Sequence, residues 1–317
     1  MQHLNEIKNK RILLGTLNWG MGHVSRCIPI VQQLLDQGNT VIIGANVAQK
    51  KVFKAYFPEI RFIKLARYPF KFNGKGNFAW DLFLSYRALK RRREDEEMET
   101  ANWVDELKID LVISDERYGL WTDKVPSVLI THQGTLPLPW YLFFIQKLHL
   151  RLLKRFDTIW MLDDHNHQYA GKLSESPLIN VIYCGIKSRF SLYTIPKEKK
   201  YEEVAVVSGP NVYAQQFYDE MIRRNPRPEK IIIPDSILED ITITETVVAK
   251  NWKEIDEILI HAKKIISRSG YSTWMDVNYL KCAYEFSPTP GQAEQLYLNL
   301  LIQKKDQTKS ATKKRKK

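Results

Sequence analysis

Cysteine is scarce in this 317-residue chain, and the three present, Cys27, Cys184 and Cys282, lie far apart without a C-x-x-C pair. That spacing indicates neither a disulfide framework nor a cysteine-held zinc site, and each reads as a core thiol. Long apolar runs are missing too: nothing approaches the roughly 18 to 20 uncharged residues needed to cross a bilayer. The opening MQHLNEIKNKR lacks the basic-then-apolar layout of a signal peptide, so a cytoplasmic protein is expected. Clusters of metal-ligating side chains are equally rare. The densest, Asp163, Asp164, His165 and His167, follows a strand and reads as a polar loop rather than a metal centre. No repeat of solenoid period is visible.

The rest is ordinary globular material, 44% hydrophobic and 26% charged, and the length suits two cores better than one. A formal net charge of +12 looks at first like a nucleic-acid signature. Residues 304–317, however, hold eight lysines and arginines against the single Asp306 and so carry seven of those charges. This tail is expected to be disordered, either solvated without a partner or held by its charges to an anionic membrane surface or nucleic acid. The folded part gives no reason to expect nucleic acid.

Short β-branched and aliphatic runs alternate with longer amphipathic stretches, the pattern of parallel sheets flanked by helices. The first half offers strands at 11–15, 40–45, 60–65, 111–114, 127–131 and 158–161, and helices at 24–37, 82–107 and 140–155. A polar stretch at 185–200, with Pro196 and the run KEKK, reads as a connection. The second half then offers strands at 204–208, 230–234, 246–249, 264–267 and 283–287, with helices at 213–224, 252–261, 271–280 and 293–303. The expected organisation is an α/β chain of two domains, 1–188 and 189–303, followed by the basic tail at 304–317.

Two regions carry residues suited to chemistry. In LLGTLNWGMGHVSRCIP, after the first strand, Gly15, Gly20 and Gly22 let the backbone approach a ligand, and the next helix points its first amides into the turn. This is not a dinucleotide fingerprint, because Ser25 stands at the third glycine position and the second strand ends TVIIGAN without an acidic residue. A bare turn between strand and helix is the alternative, against which His23 and Arg26, one helical turn apart, suit base catalysis and diphosphate binding. The second region pairs SRSGYSTWMD, residues 267–276, with SPTPGQAEQ, residues 287–295, two strand-to-helix loops at the strand ends where open α/β sheets take ligands. Asp115 with Glu116, and His132 with Gln133, end two strands of the first half, where acceptor contact and local hydrogen bonding are both open. Residues 139–156 and 67–78 mix aromatic and basic side chains. The former reads as a core helix and the latter as a candidate for peripheral membrane contact.

Taken in order, GMGHVSRCIP, SRSGYSTWMD and PGQAEQ resemble the MurG-related glycosyltransferases of GT-B type, and the resemblance covers most of the chain. It implies two Rossmann-like domains facing each other across a cleft, the second holding a nucleotide-sugar donor and the first an acceptor. His23 then resembles the glycine-loop histidine implicated in catalysis or acceptor phosphate binding, on a loop shaped by Gly20 and Gly22, with Arg26, Asp115, His132 and Gln133 on the acceptor side. Arg189, in GIKSRF, resembles an arginine that reaches the donor diphosphate, and Ser208, Gly209 and Pro210 stand at a phosphate loop. Ser269 and Gly270 precede the donor-binding helix, Asp276 falls where ribose hydroxyls are held, and Glu294 with Gln295 where the sugar is held. The resemblance implies a UDP-sugar co-substrate, with N-acetylglucosamine the habitual sugar, a lipid-linked type of acceptor, and neither metal nor bound cofactor. Relatives add a strand and a helix crossing back to the first domain, so the C-terminal domain is expected to be shortened. The same fold leaves two other readings open, a UDP-sugar epimerase and a non-catalytic binder.

Overall fold

The computed structural model describes residues 1–70, 78–138, 143–209, 211–234, 237, 241–243 and 251–315. Seven strands form the first sheet: β1 (Arg11–Thr16), β2 (Thr40–Ala45), β3 (Arg61–Lys64), β4 (Leu111–Asp115), β5 (Ser127–Thr131), β6 (Thr158–Met161) and β7 (Val181–Tyr183). Their order is β3-β2-β1-β4-β5-β6-β7 and every pairing is parallel. Helices cover both faces of such a sheet, so its central strands are apolar without alternation. Ile12, Leu13 and Leu14 of β1 and Val112 and Ile113 of β4 are all completely buried. The connecting helices are α1 (Gly22–Asp36), α2 (Val47–Tyr56), α3 (Phe78–Leu107) and α4 (Phe143–Leu153).

The loop leaving β1 is fixed by the start of α2. Asn46 accepts from the Gln49 amide at 3.0 Å while the Gln49 side chain accepts from the Asn46 amide at 3.1 Å, a reciprocal cap worth about 1 kcal/mol. The same Gln49 side chain donates to Thr16 Oγ1 at 2.9 Å and to the Leu17 carbonyl at 3.0 Å. A helix cap thereby pins the chain just before the glycine loop.

The second sheet is smaller. Its strands β8 (Tyr201–Val206), β9 (Lys230–Ile232), β10 (Ala262–Arg268) and β11 (Ala283–Ser287) are parallel in the order β11-β10-β8-β9. With them go α5 (Asn211–Arg223), α6 (Trp252–Leu259), α7 (Tyr271–Leu280) and α8 (Ala293–Arg315). This sheet has four strands among the described residues, against seven in the first sheet.

A single apolar cluster unites the two. Ile12 and Leu14 of β1 and Val24, Ile28 and Val31 of α1 belong to it together with Ile255 and Leu259 of α6 and Tyr271, Met275 and Val277 of α7. Each fully buried aliphatic side chain there contributes roughly 1.5 to 3 kcal/mol. The segment between β7 and β8 is packed into this junction rather than solvated: Ser188 caps a short 3-10 turn, Arg189–Leu192, in which Phe190 is completely buried.

One expectation is corrected at the C-terminal end. Residues 304–315, expected within a disordered tail, are helical, because α8 continues to Arg315. From Lys304 onward the sequence has no glycine or proline and is rich in lysine, which favours helix, and Tyr284 donates to Asp306 at 2.7 Å. α8 also returns to the first half. Leu298 and Ile302 are buried, and the Lys172 amide donates to Tyr297 Oη at 2.8 Å. Gly171, at φ +58°, leaves room where a Cβ would lie 2.5 Å from that hydroxyl. The strand expected at 246–249 and Pro210 lie outside the described residues, as do parts of 67–78 and 139–156. No helix among the described residues is long and apolar enough to cross a membrane.

Candidate active site

Because β1, β4 and β5 are neighbours, their carboxyl ends bring the glycine loop, Asp115 with Glu116, and His132 with Gln133 into one place. Arg26 stands at the centre, 2% exposed. Its Nε donates to Asp115 Oδ1 at 3.0 Å and Oδ2 at 3.1 Å, and its Nη2 also donates to Asp115. Nη2 lies 3.3 Å from Glu116 Oε1, and Nη1 is 2.9 Å from His132 Nδ1. Burial alone would lower the Arg26 pKa, but Asp115 and Glu116 outweigh it and hold it above its ordinary value. Burial likewise opposes ionisation of both acids, and Arg26 reverses the balance: Asp115 is pulled below the usual range and Glu116 to about 2. Arg26 is therefore not presented to a diphosphate or an acceptor, as the sequence suggested; it is the buried counter-charge of two carboxylates.

In front of this pair sits His23, 16% exposed. Its Nδ1 lies 3.2 Å from Asp115 Oδ2 and 3.0 Å from Arg26 Nη2. A hydrogen on Nδ1 gives Asp115 a donor and leaves Arg26 to its two carboxylates, so the tautomer assigned is Nδ1–H. Nε2 is then an acceptor, 3.9 Å from Glu116 Oε2. A partly exposed histidine oriented by a buried carboxylate is equipped to take a proton from a hydroxyl.

The second half meets this site directly. Glu294, in the first turn of α8, has Oε1 2.8 Å from His132 Nε2, and its Oε2 accepts from Gln133 Nε2 at 2.6 Å. Tyr271, at the start of α7, stacks on the His132 ring at 4.1 Å between centroids and 4° between planes. Ser272 donates to the Gly22 carbonyl at 2.8 Å, and a Cβ on Gly22 would fall 2.9 Å from Ser272 Oγ. Gly22 is thus required by the approach of two helix N-termini, whereas Gly20 has open space around it.

A second cluster of loops lies at the carboxyl ends of β8, β10 and β11. Ser208 Oγ is 3.4 Å from Ser267 Oγ, and Gly209 takes φ +105°, a conformation that side-chain-bearing residues rarely adopt. Ser269 Oγ donates to the Gln295 carbonyl at 3.0 Å, and Gln295 Oε1 accepts from the Thr289 amide at 2.8 Å. These two expected donor contacts brace the loop. Ser208, Gly209 and Gly270 remain partly exposed, and the Gly270 cap of α7 supplies no side-chain acceptor to the helix amides. Thr289 Oγ1 is buried without a hydrogen-bond partner, facing Gly209 across 3.8 Å from the position of a Cβ there. Backbone amides with an unpaired hydroxyl form a suitable seat for phosphate oxygens.

Arg189 and Asp276 are placed elsewhere. The Arg189 guanidinium, 5% exposed, donates to Asp256 at 2.6 Å through Nε and to Ser25 Oγ at 2.8 Å and Asp276 through Nη1. Asp276 also accepts from Ser188 at 2.6 Å, and Tyr56 donates to Asp256 at 2.5 Å. The expectation that Arg189 holds the diphosphate and Asp276 the ribose is corrected on this ground. Both are engaged with each other inside the junction, because two buried acids need the one guanidinium. Asp163 is also internal, accepting from the amides of Asp164, Tyr169 and Ala170 and from Ser174 Oγ at 2.7 to 2.9 Å.

Sequence reasoning passed over Tyr271 and Thr289. Both stand inside the motifs already singled out, Tyr271 as the first residue of α7 and Thr289 between the two prolines of the loop before α8, and position within the motif was their available signal.

No protein-family description and no curated protein sequence matches the chain. Among solved structures, the spinosyn rhamnosyltransferase SpnG complexed with thymidine diphosphate is similar at a TM-score of 0.58 and 13% identity, over 92% of this chain and 84% of that one. MurG from Acinetobacter baumannii is similar at a TM-score of 0.51 and 12% identity over 92% and 83%, and the UDP co-structure of S. aureus MnaA at 0.52 and 12% over 92% and 88%. The fold is therefore that of the GT-B glycosyltransferases.

Proposed function

We propose that this chain is a glycosyltransferase moving a sugar from a UDP-sugar to a hydroxyl-bearing acceptor, without a metal. The observation that carries the reading is the His23–Asp115 pair at the ends of β1 and β4, with Glu294 of the opposite half held within the same cluster. On this reading the acceptor oxygen attacks the anomeric carbon as its bond to the diphosphate breaks, and the acceptor proton passes to His23 Nε2. Charge developing on the departing UDP meets the amides of the Gly209 loop and the N-terminus of α7, together with the Thr289 hydroxyl. Glu294 would hold sugar hydroxyls after exchanging its bonds to His132 and Gln133.

The donor belongs to the second half and the acceptor to the first, divided between β7 and β8. Solved structures of like fold that hold thymidine diphosphate or UDP support a nucleoside diphosphate as the donor's common part. N-acetylglucosamine is the first sugar to test. A lipid-linked acceptor, met at the membrane surface from the cytoplasm through 67–78 and the basic end of α8, is the fullest form of the reading.

The test has two readouts, thermal stabilisation of the full chain by UDP, dTDP or GDP, and nucleotide release over a donor panel with and without acceptors. Stabilisation by UDP and acceptor-dependent UDP release are expected. A changed sugar without UDP release would turn the reading to epimerisation, and UDP binding without either reaction to a binder.

A further inference from the structure

The residues around His23 form two ranks. Behind stand Asp115, completely buried, Arg26 at 2% exposure and His132 at 3%. In front, with side chains partly exposed, stand His23, Glu116 and Glu294. Among the described residues the front rank holds two carboxylates and no lysine or arginine. The only guanidinium among the described residues of the cluster is behind them, shared between Asp115 and Glu116. One positive charge against these two acids leaves a net negative charge even before Glu294 is counted.

Glu116 is the member best placed to act on an incoming acceptor. It follows β4 at φ +54°, which turns its side chain back across the strand end, where Oε1 accepts from Thr131 Oγ1 at 3.0 Å. Oε2 is left facing His23 Nε2 at 3.9 Å. Any oxygen within hydrogen-bond reach of that nitrogen stands within a few ångströms of an ionised carboxylate, where a second negative charge is strongly disfavoured. The donor side is of opposite character, built from amides, the positive end of α7 and a hydroxyl.

We infer that Glu116 is a specificity-determining residue that restricts the acceptor at His23 to uncharged or cationic hydroxyl compounds and excludes those bearing a phosphate or carboxylate beside the reacting hydroxyl. This rests on the transferase reading for its meaning, and it narrows the acceptor class. A lipid-linked acceptor would reach the site with a neutral sugar or alcohol end, its anionic linkage held away from Glu116.

The test does not need turnover. The His23 imidazole is followed by NMR in the full chain and in Glu116→Gln while methyl phosphate is titrated in. His23→Ala identifies the signal, and methyl glucoside and glucosamine serve as neutral and cationic probes. Glutamine keeps the size of the side chain and the acceptor for Thr131, and a single cooperative unfolding transition at pH 7, at a midpoint lowered by the lost charge pair with Arg26, confirms that the fold is intact. Methyl phosphate is expected to perturb His23 at least about tenfold more readily in Glu116→Gln than in the native chain, with the two sugars little affected. Equal response of the two proteins to methyl phosphate, including no response in either, overturns the inference. Failure of UDP-sugar turnover with every acceptor would overturn the transferase reading instead, and the NMR result would stand apart from it.

Discussion

Replacing Arg189 by methionine separates a structural role from a donor-binding one. Methionine conserves much of the side-chain length and its contact with Phe190 and Trp252, whose rings lie 4.4 and 5.1 Å from the guanidinium carbon, but it removes the counter-charge of Asp256 and Asp276. Removing one partner of a buried ion pair typically costs about 3 to 5 kcal/mol, because a charge is left without compensation in a poorly solvated place. The pH dependence has a definite sign. Burial raises the Asp276 pKa even with Arg189 present, and Asp256 adds to the rise. Without Arg189 the folded-state value climbs further above the unfolded value of about 3.9. A raised folded pKa contributes stability that is present at acid pH and lost as pH rises through it, so the deficit of the variant should be larger at pH 7 than at pH 5. Urea unfolding followed by tryptophan fluorescence at both pH values measures this, and UDP affinity at low temperature measures the alternative. The expected result is a lower midpoint with UDP affinity changed only a few-fold. A loss of UDP affinity at native stability, or a deficit below about 1 kcal/mol, would return Arg189 to the diphosphate.

Gly22→Ala should destabilise the contact between α1 and α7 by about 1 to 3 kcal/mol, since the new Cβ falls 2.9 Å from Ser272 Oγ; Ser272→Ala in the same chain should recover part of the loss in thermal unfolding. Glu116, with its pKa depressed from 4.5 to about 2 chiefly by Arg26 against burial, should contribute about 3 kcal/mol that is present above about pH 4.3 and disappears as pH falls toward 2. Acid unfolding of Glu116→Gln should accordingly be shallower over that interval than that of the native chain. Leu298→Ala removes a completely buried side chain of α8 and should cost about 2 to 5 kcal/mol in urea unfolding, which would show the terminal helix to be part of the cooperative fold.

The elements easiest to read in the sequence were those whose evidence is local. Ser127–Thr131, Thr158–Met161, Tyr271–Leu280 and Ala283–Ser287 coincide with the expected ranges, because a short apolar run between turn signals, or a run with helical spacing, needs no distant partner to be recognised. Val181–Tyr183 was not legible, being three residues long and defined by pairing with β6. The glycine-histidine loop and Glu294 stood out by residue type; Ser272 of the second half touches the loop, and Glu294 reaches the neighbouring His132 and Gln133. Arg189 was misjudged because its role depends on Asp256 and Asp276, 67 and 87 residues away, and nothing nearby in the chain announces two buried acids. The helix over 304–315 was not legible for a related reason. Its charge run suggests a solvated tail, while the residues that anchor α8, Lys172 and Tyr284, stand far from it in the sequence.

The contacts that join the two halves differ in how easily they can open. Those around Arg189, and the apolar cluster shared by α1, α6 and α7, are buried, so separating them would expose both charge and hydrocarbon. The contact at Glu294 has another character: its side chain is 32% exposed, and water or a sugar hydroxyl can replace His132 and Gln133 as donors at little net cost. Opening should therefore begin at the Glu294 end while the Arg189 end holds, a pivot rather than a separation. A donor sugar that claimed Glu294 would at the same moment release His132, whose Nδ1 rests on Arg26, the counter-charge of the carboxylate that orients His23. Donor binding and the setting of the base would then be coupled through three side chains, without movement of either sheet.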